Sequence, residues 1–312
     1  MLTASDRKVI VVTRRTRLEE LVARFHTRDQ EKFYVEHLGA DFHDYELEHQ
    51  RYQDARRVVA DALEGHHRHQ FLDRAYLPNF VFGAQEVVVA LGQDGLVANT
   101  MKYLDGQPLV GVNPDPDRYD GVLLPFRPAD LPTLIPGVIR EQQRTRAVTM
   151  AVARLTDGQQ LHAVNDLFIG PRSHTSLRYE IALGEHRELQ SSSGMIVATG
   201  LGSTGWMKSV VAGAAGIAAG LSGARGLKPY AATPWDTDHL VFAVREPFPS
   251  HTTRASLVCG SIPRARSLVV TSLTPDQGVI FSDGIESDFL AFGAGTRAEI
   301  RVADRQGRLV ID

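Results

Sequence analysis

Cysteine is nearly absent: the single Cys259 excludes an intrachain disulfide and leaves no set of thiolates for a zinc site. Long apolar runs are missing as well. Nothing approaches the ~18 residues that a membrane-spanning helix needs, and Met1–Lys8 carries no apolar signal-peptide core. There is no surplus of positive charge. Lys and Arg number 34 against 37 Asp and Glu, a net charge of −3, and the densest basic tract is only Arg14-Arg15-Thr16-Arg17. Such a balance argues against a binder that neutralises many nucleic-acid phosphates. A cytoplasmic protein that engages neither nucleic acid nor membrane is expected.

What is present is 312 residues, 43% hydrophobic and 23% charged, the composition of a folded globular chain of about two domains. The first third alternates strand and helix signals. Lys8 to Val12 is a β-branched run, followed by Leu18, Leu21, Val22 and Phe25 at the spacing of one helix face. Asp44 to Glu48 reads as a short second strand, and Ala55, Val58, Val59 and Ala62 repeat the helical spacing. Glu86 to Leu91 is a third strand that enters Gly92-Gln93-Asp94-Gly95. Leu96 to Leu104 then reads as a helix, and Pro108 to Val112 as a fourth strand. Seven prolines fall between Pro108 and Pro136, a composition shift that suggests a boundary.

Beyond it the periodicity is mostly two. Strands are expected at Val148–Leu155, Leu161–Ile169, Leu177–Leu183, Met195–Ala198, Leu240–Val244, Leu268–Ser272, Val279–Ser282 and Ala298–Val302. One helix opens near Ser203-Thr204 and runs through the Ala/Gly stretch Val210 to Leu221, whose small residues suggest close packing against a neighbour. The predicted architecture is a Rossmann-like α/β domain over residues 1–127, then a predominantly β, sandwich-like domain over 128–312. The last segment of the second is expected to pack back on the first.

Chemistry gathers at a few turns. Gly92 and Gly95 let backbone approach a ligand, and the free N–H groups of the following helix attract phosphate. Asp94, at the mouth of that turn, can accept a proton from a hydroxyl that attacks phosphorus; an ordinary capped βα turn explains the tetrapeptide about as well. Asn165 and Asp166 are adjacent polar residues within an apolar strand. Neighbours in a strand face opposite sides, so a site or a strand end fits them better than mid-sheet. Gly202, Ser203 and Thr204, closed by Trp206, could read a base or a ribose, and Asp283 lies in the common turn Ser282-Asp283-Gly284. Either turn taken alone reads as plain structure. His66-His67-Arg68-His69 reads as a solvated loop, since no second cluster accompanies it. Arg14, Arg15 and Arg17 follow the first strand, at the sheet end where α/β proteins bind ligands, and read equally well as phosphate contacts or as surface charges.

The order and spacing of these motifs over nearly the whole chain resemble the NAD kinase family. Its pattern is a Gly-Gly-Asp-Gly-Thr turn, an Asn-Glu pair on a strand and a Thr-Gly-Ser-Thr-Ala-Tyr turn. The nearer likeness is to the mitochondrial-type branch, which has a long Asn-x-Asp-Pro-x-Arg-x-x-Gly segment matched here by Asn113 to Gly121. Asn165 to Gly170, Ser192-Ser193-Gly194 and Val244 to Pro247 also have counterparts there.

The resemblance implies transfer of the terminal phosphoryl group of ATP, with Mg2+ bound through nucleotide phosphates, to the 2'-hydroxyl of the adenosine ribose of NAD. Asp94 would be the catalytic base and Gly92, Gln93 and Gly95 the phosphate cradle. Asn165 and Asp166 would bind a ribose, and Ser203, Thr204 and Trp206 the adenine side. Asn113, Gly202, Arg14, Arg17 and Asp283 complete the expected nucleotide-binding set, in a homodimer or higher homo-oligomer.

Some positions depart from the pattern. Gln93 replaces a glycine and would force another loop shape if φ there must be positive. Leu96 lacks the family's hydroxyl, Asp166 is a methylene shorter than glutamate, and Gly205 replaces alanine. Two other readings therefore stay open: a kinase of the same superfold acting on a sugar, polyol or lipid hydroxyl, and a non-catalytic dinucleotide sensor.

Overall fold

The computed structural model describes residues 7–25, 28–37, 39, 41–222 and 230–312. Met1–Asp6 of the N-terminal stretch and the side chain of Phe25 lie outside them. The chain forms two compact units, one of residues 1–146 and 308–312, the other of 147–307.

Unit 1 contains β1 (Val9–Thr13), α1 (Arg17–Phe25), α2 (Arg28–His37), α3 (Phe42–Leu63), β2 (His69–Asp73), β3 (Val87–Leu91), α4 (Asp94–Met101), β4 (Pro108–Val112) and α5 (Leu131–Ile139). Its strands are parallel in the order β2-β1-β3-β4, and Arg308 and Leu309 pair parallel to β4 on its other side. β1, β3 and β4 are buried throughout, as strands of a parallel sheet covered on both faces must be. The chain leaves β1 toward β2 on one side and continues to β3 on the other. The C-terminal ends of β1 and β3 thus form the switch point where such sheets bind ligands.

Three expectations are corrected in this unit. Asp44 to Glu48 is not a strand. It lies in the first turns of α3, which Asp41 caps by accepting the His43 N–H at 2.9 Å, and Glu48, Tyr52, Ala55, Val59 and Leu63 form its buried face. The second strand is instead His69–Asp73. The unit boundary falls at 146/147 and not at 127/128, because Leu131, Leu134, Ile135 and Val138 of α5 enter the unit 1 core with Val110 and Tyr52.

Unit 2 contains β5 (Thr145–Leu155), β6 (Gln160–Ala163), β7 (Asp166–Pro171), β8 (Leu177–Leu183), β9 (His186–Ser192), β10 (Met195–Ala198), α6 (Trp206–Ser222), β11 (His239–Val244), β12 (Cys259–Pro263), β13 (Leu268–Ser272), β14 (Gly278–Ser282), β15 (Ile285–Ala291) and β16 (Arg297–Val310). β12-β11-β10-β7-β14-β15 form one antiparallel sheet, and β6-β5-β16-β13-β8-β9 line up in the other. Alternate residues of both, among them Leu167, Val197, Phe242 and Ile280 against Tyr179, Val270 and Ile300, share one core. This is a β-sandwich.

The expected single strand Leu161–Ile169 is broken at Val164-Asn165, so the polar pair sits at a strand end. The close packing expected along α6 is also corrected. Only its first turns, through Trp206, Met207, Val210 and Val211, reach the sheet, while Ile217 and Leu221 are 65% and 86% exposed. Among the described residues no helix is long and apolar enough to cross a membrane.

Phe242 is fully buried between the sheets, so Phe242→Ala should lower the unfolding free energy of the sandwich by ~3–5 kcal/mol. Chemical denaturation with a spectroscopic readout checks this, and a loss below about 1 kcal/mol would contradict the assigned core.

Candidate functional site

The β3 turn behaves as its sequence suggests, with one simplification. Gln93 has φ −118°, an extended conformation open to any residue, so the lost glycine costs nothing in backbone geometry. Leu96, 2% exposed, fills space beside Gly92, whose added Cβ would meet the leucine side chain at 2.7 Å. Its apolar side chain serves packing. Asp94 opens α4, and its Oδ1 accepts the Leu123 N–H at 2.7 Å. The second carboxylate oxygen has no partner among the described residues.

Leu123 is itself held by contact. A Cβ on Gly111 would lie 1.9 Å from the Leu123 carbonyl oxygen, so only glycine lets β4 run against this loop. Asn113 organises the same loop: its Nδ2 donates to the Tyr119 carbonyl at 2.9 Å and its Oδ1 accepts the Asp115 N–H at 3.1 Å. The Asn113–Gly121 segment is therefore a built loop that fixes Asp94, and Asn113, 5% exposed, spends its amide within it.

Arg14 and Arg17 are likewise engaged. Glu48, 2% exposed, accepts from Arg14 and Arg17 at 2.8 Å each, and Arg17 also reaches Asp44 at 2.7 Å. Arg118 pairs with Asp44 and with Asp115, which in turn binds Arg51. Burial would raise the Glu48 carboxyl, but the hydrogen bonds from Arg17 and Arg14 outweigh it and hold the group below its ordinary range. Arg118 and then Arg17 hold Asp44 far below that range. Tyr52 ties the two strand ends together: its hydroxyl accepts the Arg14 N–H and donates to the Leu91 carbonyl, 3.0 Å each. Burial pushes that phenol up to about 12.

In unit 2 the structure gathers Asn165, Asp166, Gly202 and Asp283. The Thr199 N–H donates to the Asn165 carbonyl at 2.9 Å. A Cβ on Gly202 would come within 2.0 Å of that same oxygen, so the glycine permits the approach. Asp283, at φ 54°, turns its carboxylate onto the backbone N–H groups of Val164, Asn165 and Asp166 at 2.6 to 3.3 Å. Those bonds make it a clamp on the pair. Ser203, 1% exposed, donates to the Gly200 carbonyl and accepts the Thr233 N–H, whereas Thr204 is exposed. The Asn165 amide is half-buried and has no partner among the described residues. Asp166 is 7% exposed; burial and then the nearby Asp283 charge push its carboxyl up to about 7.

Sequence reading missed an aromatic cavity of about 640 Å³ in this unit. Trp206 stacks on Phe168 at 5.7 Å, Arg245 lies over the indole at 5.6 Å, and Arg172 lies over Phe289 at 4.2 Å. The three rings come from two separate strands and a helix, so no local motif announces them. Among the described residues no group of three or more His, Cys, Asp or Glu could hold a metal ion, and the histidine run at 66–69 forms no such site.

Asp166 fits its place as a neutral acid. The stability this gives is complete below about pH 4 and is lost as pH rises through 7, at ~1.4 kcal/mol per pH unit. Asp166→Asn should therefore melt above the unchanged protein at about pH 8, with the gap closing toward pH 4. A gap independent of pH would contradict the assignment.

Comparison with solved structures gives the fold. Yeast NADH kinase complexed with NADH aligns over 98% of this chain and 84% of its own, with a TM-score of 0.60 and 14% identity. An NAD kinase from Archaeoglobus fulgidus in complex with ATP aligns over 98% of this chain and 93% of its own, with a TM-score of 0.54 and 15% identity. No family model and no curated protein matches the sequence. The chain has the two-domain fold of these kinases, an α/β domain and a β-sandwich.

Proposed function

We propose that this protein is an ATP-dependent NAD kinase that forms NADP by phosphorylating the 2'-hydroxyl of the adenosine ribose. The observation that carries the reading is Asp94: a carboxylate on the first residue of a helix, at the ligand-binding end of a parallel sheet, with one oxygen anchored to Leu123 and the other unpartnered. The fold of the NADH and NAD kinases supports it.

In this mechanism the free oxygen of Asp94 takes the proton of the acceptor hydroxyl. The hydroxyl oxygen attacks the γ-phosphorus in line, the bond from that phosphorus to its bridging oxygen breaks, and ADP leaves with the electron pair. The N–H groups of Asp94 and Gly95, unsatisfied at the start of α4, hold phosphate oxygens. Asn165 hydrogen-bonds a ribose hydroxyl of the dinucleotide through its unpartnered amide, positioned by Asp283 and Gly202. With one Asp94 oxygen anchored to Leu123 and the other assigned to the proton, Mg2+ would be held through the nucleotide phosphates. When bound, that ion neutralises charge on the phosphoryl group.

Asp166 favours a second reading, a kinase for a sugar, polyol or lipid hydroxyl. A short, buried, largely neutral carboxyl is a poor bidentate partner for a ribose diol.

Incubation with ATP, Mg2+ and NAD should yield NADP, and Asp94→Asn should cut turnover by ~10²–10⁴ without lowering the melting temperature. Folded, nucleotide-binding protein that makes no NADP overturns the reading. ADP release with a sugar, polyol or lipid in place of NAD then selects the second one, and no release with any acceptor selects a sensor.

A further inference from the structure

Of the three arginines that follow the first strand, Arg14 and Arg17 are spent in unit 1 on Glu48 and Asp44. Beside them lies a cavity of about 460 Å³ at the C-terminal ends of β1, β2 and β3. Five guanidinium groups line it against two carboxylates, in a chain whose net charge is −3. Asp44 and Asp115, just outside the lining, pair with Arg17 and Arg118, so little of the charge of those two is free.

The two remaining arginines are differently placed. Arg15 is exposed and has no ion-pair partner among the described residues. Arg74 follows β2, is 41% exposed in its side chain, and among the described residues pairs only with Glu20, at 3.9 Å. The buried Arg14 keeps its Nε without a hydrogen-bond partner, although its charge is paired with Glu48 at 2.8 Å. Gln93, at the N-terminus of α4, also lines the cavity and makes no side-chain capping bond. The positive end of the α4 dipole adds to the same field.

We infer that Arg15 and Arg74 bind a linear chain of two or three phosphates in this cavity, while Arg14, Arg17 and Arg118 serve as its fixed frame. The inference deepens the kinase reading and rests on it only for the source of the phosphates, which is the nucleoside triphosphate donor or the diphosphate bridge of the dinucleotide. Charge-assisted forks from two separate loops suit such a chain better than a single phosphate, because each guanidinium can take a different phosphoryl group.

Inorganic tripolyphosphate, ATP and NAD titrated calorimetrically into the intact protein test this without catalysis. Arg15→Ala/Arg74→Ala should weaken tripolyphosphate at least about tenfold with an unchanged melting temperature, since both side chains reach solvent. The paired lysine variant should recover part of the affinity, and Glu20→Gln should tighten it. A parallel loss for ATP alone identifies the donor, and for NAD alone the dinucleotide bridge. Unchanged tripolyphosphate affinity in the alanine variant overturns the inference even if NADP is made normally. Absence of NADP formation leaves a tenfold loss for tripolyphosphate standing.

Discussion

Much of unit 1 depends on one buried carboxylate. Glu48, near the start of α3, sits between Arg14 and Arg17 and so fixes the chain as it leaves β1. Removing it would leave a buried guanidinium without its counter-ion, a loss of about 3–5 kcal/mol for pairs of this kind. From Glu48 the pairing passes through Arg17 to Asp44, then through Arg118 to Asp115 and Arg51. Asp44 and Glu48 are four residues apart, so α3 presents both to the same loops.

That lattice reaches Asp94 through the loop after β4. Arg118 and Asp115 anchor its first half, Asn113 and Gly121 shape it, and its second half supplies the N–H that holds Asp94. Arg14 and Arg17 are both held by carboxylates within this lattice, and so belong to the packing around Asp94. Because the Asp44 and Glu48 carboxyls are held below their ordinary range, the stability they contribute is present above that range and is lost only as pH falls through their lowered values.

Local signals were legible in the sequence, and relations between distant residues were not. The β3 turn, Asp94 at the start of a helix, and the misfit of Asn165-Asp166 in a strand follow from φ preferences, N–H geometry and the cost of buried charge. The start of α3 was misread because Asp44 to Glu48 alternates polar and apolar residues over a span too short to separate a strand from a helix. The edge strand His69–Asp73 escaped notice since only Leu72 in it is buried. The boundary was set too early because prolines mark turns, and α5, with prolines of its own, still packs into unit 1. Asp283 could be nominated from its turn, but its work as a clamp depends on residues more than a hundred positions away.

Asp166 and Asp283 show how environment divides labour between two like groups. Asp283 meets three backbone N–H groups, which suit a carboxylate. Asp166 meets burial and that negative neighbour, and its carboxyl is pushed up to about 7. Near neutral pH it is therefore an acid that can donate a hydrogen bond as readily as accept one. A glutamate here would reach a methylene further and find water more easily, favouring the charged, acceptor-only form. Aspartate thus sets which partner atoms this position satisfies, while Asn165, clamped by Asp283 and closed upon by Gly202, keeps a half-buried amide without a partner among the described residues.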